Sequence, residues 1–143
     1  MIPGEDEPFI GTGPDYDPDG VRIRRGGCSR GAVRFDLRGE PLKVGCHCTK
    51  CRKATGSAFL SYADWPRFAF SFTGEVRHYR GRSFCPVCGS RLFHLSDNQA
   101  EINLGALDAA PGDLFPTREG WIIRRENRLP PIQDTLQFDR DTA

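Results

Sequence analysis

Cys46-His47-Cys48-Thr49-Lys50-Cys51 sets three thiols within six residues, and Cys85-Pro86-Val87-Cys88-Gly89 sets two more around a turn. Thiolates two to four residues apart converge on one tetrahedral metal ion because a tight turn aims both sulfurs inward. Gly89, just past the second pair, supplies the backbone freedom such a knuckle needs. The sixth cysteine, Cys28, follows Gly26-Gly27. Two separated Cys-x-x-Cys pairs point to zinc. A disulfide framework competes with this reading, but the clustering and the lack of an export signal weigh against it. A thioredoxin-like redox pair wants a βαβ context, which the pattern lacks. The residues alone leave the partition of ligands open. One four-thiolate site can form from Cys48, Cys51, Cys85 and Cys88, leaving Cys28 and Cys46 spare. Two three-thiolate groups are equally allowed, and a Cys-x-Cys-x-x-Cys triplet can keep its fourth position open, as catalytic zinc does.

Around these clusters the chain reads as short strands. Alternating or β-branched stretches at 21–25, 32–37, 59–63, 68–72, 75–80, 91–95, 101–104 and 121–125 are bounded by Gly, Pro or Asp. Asp64-Trp65-Pro66 reads as a turn between two of them. The one helix expected is short, over 48–55, ended by Gly56. Turn signals about every ten residues favour an all-β architecture over a βαβ repeat.

The 143 residues suit one domain. The net charge of +1 hides an asymmetry. Residues 1–20 hold six acids and no base, and 134–143 hold three acids and one base. The body, 21–133, holds 19 Lys/Arg against 10 Asp/Glu, a formal +9. Acidic Pro/Gly-rich ends read as flexible tails, and a basic body suggests an anionic partner. The arginines are dispersed, with no basic stripe or nucleic-acid motif, which argues against a nucleic-acid partner. No run of 18 apolar residues is present, which excludes a helical membrane span. With no secretory signal visible, a cytoplasmic location is expected.

Three blocks together resemble one family. They are Gly26-Gly27-Cys28-Ser29-Arg30-Gly31-Ala32-Val33-Arg34-Phe35, then Cys46 to Lys53 with Ser57, and then Phe84 to Leu92 around Cys85 and Cys88. Their order and spacing are similar to the glutathione-dependent formaldehyde-activating enzyme family, which includes centromere protein V-like proteins. The resemblance implies a mainly β fold with little helix, the β-tent, in which two small antiparallel sheets meet at zinc knuckles. It also implies two Zn²⁺ sites. Cys46, Cys48 and Cys51 match a three-thiolate catalytic zinc. Cys28, Cys85 and Cys88 match three of four structural ligands, and Arg30 stands where the family has the fourth cysteine. A guanidinium stays protonated and cannot ligate. His94 is the nearest residue in sequence that can replace it, and Asp36 and Glu101 are acids that can pair with Arg30.

The implied reaction condenses a thiol, glutathione, with formaldehyde or a related small carbonyl to S-hydroxymethylglutathione, formally a carbon–sulfur lyase in reverse. Arg52 and Lys53 are the cations nearest the triplet, while the ordinary reading of both is a solvated face. His47, between two ligands, and Ser57 are further polar groups near the site. His78 reads as a surface strand residue, and Trp121 and the phenylalanines as core. Two other functions compete: a non-catalytic zinc module contacting a protein or nucleic acid through its basic body, and a redox-sensing thiol protein.

Overall fold

A computed structural model describes residues 15–47, 51–110 and 112–142, without the side chain of Cys51. The strands are β1 (Asp15–Tyr16), β2 (Arg22–Gly27), β3 (Arg34–Arg38), β4 (Lys43–His47), β5 (Leu60–Pro66), β6 (Phe70–Thr73), β7 (Arg77–Tyr79), β8 (Arg82–Phe84), β9 (Arg91–Leu95), β10 (Gln99–Asn103), β11 (Arg118–Gly120) and β12 (Leu136–Gln137). The helix α1 is Cys51–Thr55. Two sheets form, ordered β1-β2-β3-β6 and β12-β11-β4-β5-β10-β9-β8-β7. The mainly β architecture with two sheets and little helix is therefore present. The first sheet is small and antiparallel, as expected. The second is larger and mixed, because β11 runs parallel to both β4 and β12.

The two sheets bury one core between them. Phe35 and Leu37 from β3 and Phe70 from β6 meet Trp65, Phe93 and Ile102 of the large sheet. Phe93 stands edge-on to Phe70 at 4.8 Å and to Phe35 at 6.0 Å between ring centroids, the geometry that aromatic quadrupoles favour. Trp65 is fully buried and donates its indole N–H to the Gly39 carbonyl at 3.0 Å. This contact explains why 64–66 is not a turn. Core burial of Trp65 holds β5 extended up to Pro66, where a 3-10 turn begins.

Other differences follow from long-range pairing. Residues 121–125 do not form a strand. Trp121 adopts a left-handed conformation (φ 53°) and caps a 3-10 turn, Ile122–Arg124. It is only half-buried, and its indole N–H donates to Asp141 at 2.7 Å. Phe68 and Phe115 also lie on the surface rather than in the core. Asp15–Tyr16 and Leu136–Gln137, in the segments that composition assigned to tails, pair with β2 and β11. Asp15 and Asp17 form ion pairs with Arg25 and Arg38, so the acidic leading segment neutralises part of the basic body.

Gly26 marks a tight approach between β2 and the 3-10 turn Leu104–Ala106. A Cβ there would press on the Ala106 carbonyl oxygen and come within 2.5 Å of the Phe35 ring. Gly26→Ala is expected to destabilise by about 1–3 kcal/mol through overpacking, read as a lowered midpoint in urea with an unchanged slope.

Candidate metal centre and pocket

The sulfurs of Cys28, Cys85 and Cys88 lie within 4.8 Å of one another. Cys28 and Cys85 are fully buried and Cys88 partly so. Each is set by a turn. Cys28 closes β2, and its carbonyl accepts from the Gly31 N–H at 3.1 Å while its sulfur accepts from the Val33 N–H at 3.3 Å. Cys85 follows β8, and its carbonyl accepts from the Gly89 N–H at 2.8 Å. Gly89, at φ 79°, makes the reversal possible. The two turns are joined by the Ser29 N–H, which donates to the Ser90 hydroxyl at 3.1 Å.

Backbone amides are aimed at the sulfurs. Burial pushes the Cys85 thiol up, against donation from the Cys88 and Val87 N–H groups. At Cys88 burial acts the same way, but hydrogen bonds from Ser90, Ser29 and the Arg30 backbone outweigh it and bring the thiol down to about 6. Three convergent thiols cradled by N–H donors suit a soft divalent cation, and the cluster can hold a metal ion. Arg30 contributes a backbone N–H to Cys88 rather than a ligand. His94, the nearest candidate replacement in sequence, is not in this group; it stands on β9 and lines a separate pocket. Asp36 lies 3.3 Å from the Arg25 guanidinium, and Glu101 also lines the pocket.

Of the expected catalytic triplet, Cys46 is described. It ends the buried run of β4, fully enclosed, opposite Ser61 on β5 and Glu119 on β11. Cys48 lies outside the described residues, as does the side chain of Cys51 at the start of α1. None of Cys28, Cys46, Cys85 and Cys88 is in a disulfide. Arg52 forms an ion pair with Glu126, and Lys53 is exposed. Ser57 sits in the turn after α1, where its N–H donates to the Thr55 hydroxyl at 3.3 Å. His78 is an exposed residue of the edge strand β7.

A pocket of about 210 Å³ lies against the large sheet, and the core residue Phe93 is among its lining. Its walls include His47 from β4, Ala54 and Thr55 from α1, and Glu101 from β10. Alternation along β4 turns His47 to this side and Cys46 to the other, and the His47 ring lies 5.0 Å from Tyr62. Sequence reasoning missed this polar face. Lys43, Asp64, Glu101, His94 and Arg82 stand opposite one another in a single row across β4, β5, β10, β9 and β8. Burial raises the Asp64 carboxyl, opposed by Lys43, Arg118 and His94. Burial and then the Asp64 charge push Glu101 up to about 7, opposed by Lys43 and Arg82. The strand pattern of 91–95 and 101–104 was the available signal, but the register that lines up these five residues is not written locally.

The fold and the thiol cluster define a two-sheet β domain with a knuckle able to carry metal. The family model of the glutathione-dependent formaldehyde-activating enzyme matches residues 23–124. The chain belongs to that family. No curated protein matches it at a significant level.

Proposed function

We propose that this pocket joins a thiol of the glutathione class to formaldehyde or a related small carbonyl, a carbon–sulfur lyase reaction run toward S-hydroxymethylglutathione. The observation that carries the reading is the makeup of the pocket wall. His47 lies between Cys46 and Cys48, and Ala54 and Thr55 end the helix that Cys51 begins. The pocket is thus bounded by residues next to the triplet in sequence, while the Cys46 side chain itself turns to the other side of β4. A zinc ion on Cys46, Cys48 and Cys51 would supply a low-pKa site for the incoming thiol. The chemistry of a three-thiolate donor set fits such an ion. A second zinc on Cys28, Cys85 and Cys88 would serve structure.

Arg82 and Arg91 give the pocket cationic groups for the carboxylates of the thiol. Arg91 is anchored near α1, where its guanidinium reaches the Ala54 carbonyl at 3.5 Å. Much of the remaining arginine excess is engaged in ion pairs. Arg22 and Arg24 share Asp113, and Arg34 pairs with Asp108. This weakens the case for a charge-driven nucleic-acid or protein-binding module. Cysteines outside disulfides suit a reducing compartment such as the cytoplasm.

The test is adduct formation followed by exchange NMR with glutathione and formaldehyde, compared with the spontaneous rate. Wild type is expected to accelerate the exchange, and Cys46→Ser to remove the acceleration. A wild-type protein carrying its metal that leaves the spontaneous rate unchanged would overturn the reading.

A further inference from the structure

We propose that Glu101 is the proton-transferring carboxyl of the pocket, taking the thiol proton and returning it to the carbonyl oxygen as the adduct forms. The assignment rests on the thiol–carbonyl reading above. Its first support is position. Glu101 sits at the centre of the charged row, on the pocket side of β10, while its neighbours Ala100 and Ile102 are buried in the core.

Its second support is what the carboxylate does not do. Several acids beside basic residues are engaged: Asp113 by Arg22 and Arg24, Asp108 by Arg34, Glu119 by Arg125, Glu126 by Arg52. Among the described residues the Glu101 carboxylate forms no ion pair and no hydrogen bond. Glu101 is half-buried and lines a cavity large enough for a small substrate. A carboxyl kept from structural use and turned to a cavity is a candidate for chemistry.

The surroundings suit the role. Asp64 stands opposite Glu101 on β5 and His94 opposite it on β9, Lys43 and Arg82 act on it from β4 and β8, Tyr62 feels its charge, and His47 and Arg91 line the same pocket. Arg118 on β11 acts on the same row through Asp64 and Tyr62. Burial and the neighbouring Asp64 carboxylate hold the group at about 7, so both its forms are present at neutral pH, the condition in which a general acid–base is most effective.

The step balances without another reactant. The Glu101 carboxylate takes the proton of the thiol. The thiolate sulfur forms the bond to the carbonyl carbon as the C=O π pair moves to oxygen. That oxygen takes the proton back from Glu101, which regenerates the carboxylate and completes the hydroxymethyl thioether.

The test compares wild type, Glu101→Gln and Asp64→Asn in the adduct assay across pH 5–9, with metal content and melting temperature measured in parallel. Glu101→Gln is expected to lose about 100-fold or more in kcat/KM and the acid limb near neutral pH, while keeping its metal. Asp64→Asn removes a neighbouring negative charge, so the limb should move to lower pH. A structural role would not move it. If Glu101→Gln keeps the wild-type rate and limb, the proposal is overturned and the thiol–carbonyl reading survives. If Glu101→Gln fails to fold, an unmoved limb in Asp64→Asn overturns the proposal. If wild type itself produces no acceleration, both fall together.

Discussion

Cys85→Ser should lose one metal ion per chain and unfold at a markedly lower temperature. Cys85 is fully buried, and its sulfur lies within 4.8 Å of those of Cys28 and Cys88. A bound divalent cation offsets the repulsion among three close thiolates, and a hydroxyl in place of one sulfur breaks the set. Loss of a structural metal belongs among the largest single-residue effects, more than about 4 kcal/mol, or roughly 10 °C in a chain of this size. Metal analysis and calorimetry read the two quantities. Unchanged metal content together with an unchanged melting temperature would show that the cluster is not a metal centre. Arg30→Cys works in the opposite direction. Its backbone already donates to Cys88, so a thiol there adds a fourth donor beside the cluster, and the ion should resist a chelator longer than in wild type.

Glu119→Ala should cost about 3–5 kcal/mol, the range for breaking a buried charge pair from one side. Glu119 is 2% exposed. Its carboxylate accepts from Arg125 Nε at 2.8 Å, from the Gln137 amide at 3.0 Å and from the Ile132 N–H at 3.1 Å. Removing it takes a buried carboxylate from the Arg125 guanidinium, which keeps its bond to Gln137, and releases the loop that leads to β12. Burial alone would raise this carboxyl, but Arg125, Gln137 and the Ile132 N–H outweigh burial and hold it below its ordinary range. The sign follows from linkage. The stabilisation is fully present above the unfolded pKa, about 4.3, and is lost as pH falls through the lower folded value. Melting temperature measured from pH 7 down to 3 should therefore fall less steeply in Glu119→Ala than in wild type. Equal slopes would refute the role.

The architecture was legible where local pattern and tertiary demand agree. β2, β3, β9 and β10 alternate strongly enough to show in the sequence, and Cys85-Pro86-Val87-Cys88-Gly89 carries its turn in its own residues. Elsewhere distant contacts decided. Lys43-Val44-Gly45-Cys46-His47 is not among the stretches that read as strands, yet pairing with β5 and β11 makes it an inner strand. Asp64-Trp65-Pro66 has turn composition, yet the Trp65 ring is held in the core. The metal cluster was half legible: the spacing of Cys85 and Cys88 shows a knuckle, while the addition of Cys28 came from family resemblance. Glu101 was named only as a possible partner for Arg30. Its place in the pocket depends on the register of five strands, a property of the sheet that no single strand contains.

The parallel pairing of β4 with β11 also shapes how the chain is made. Thr117, just before β11, donates to the Val44 carbonyl 73 residues earlier. On the ribosome, β4 and β5 emerge long before their final neighbour, and β4 must wait as a bare edge. An unpaired edge in a nascent chain is a template for wrong partners. Closure across so long a loop belongs to the slow, non-local class of folding events. Elongation speed and chaperone supply, rather than the stability of the finished sheet, should then set how much protein reaches the native state.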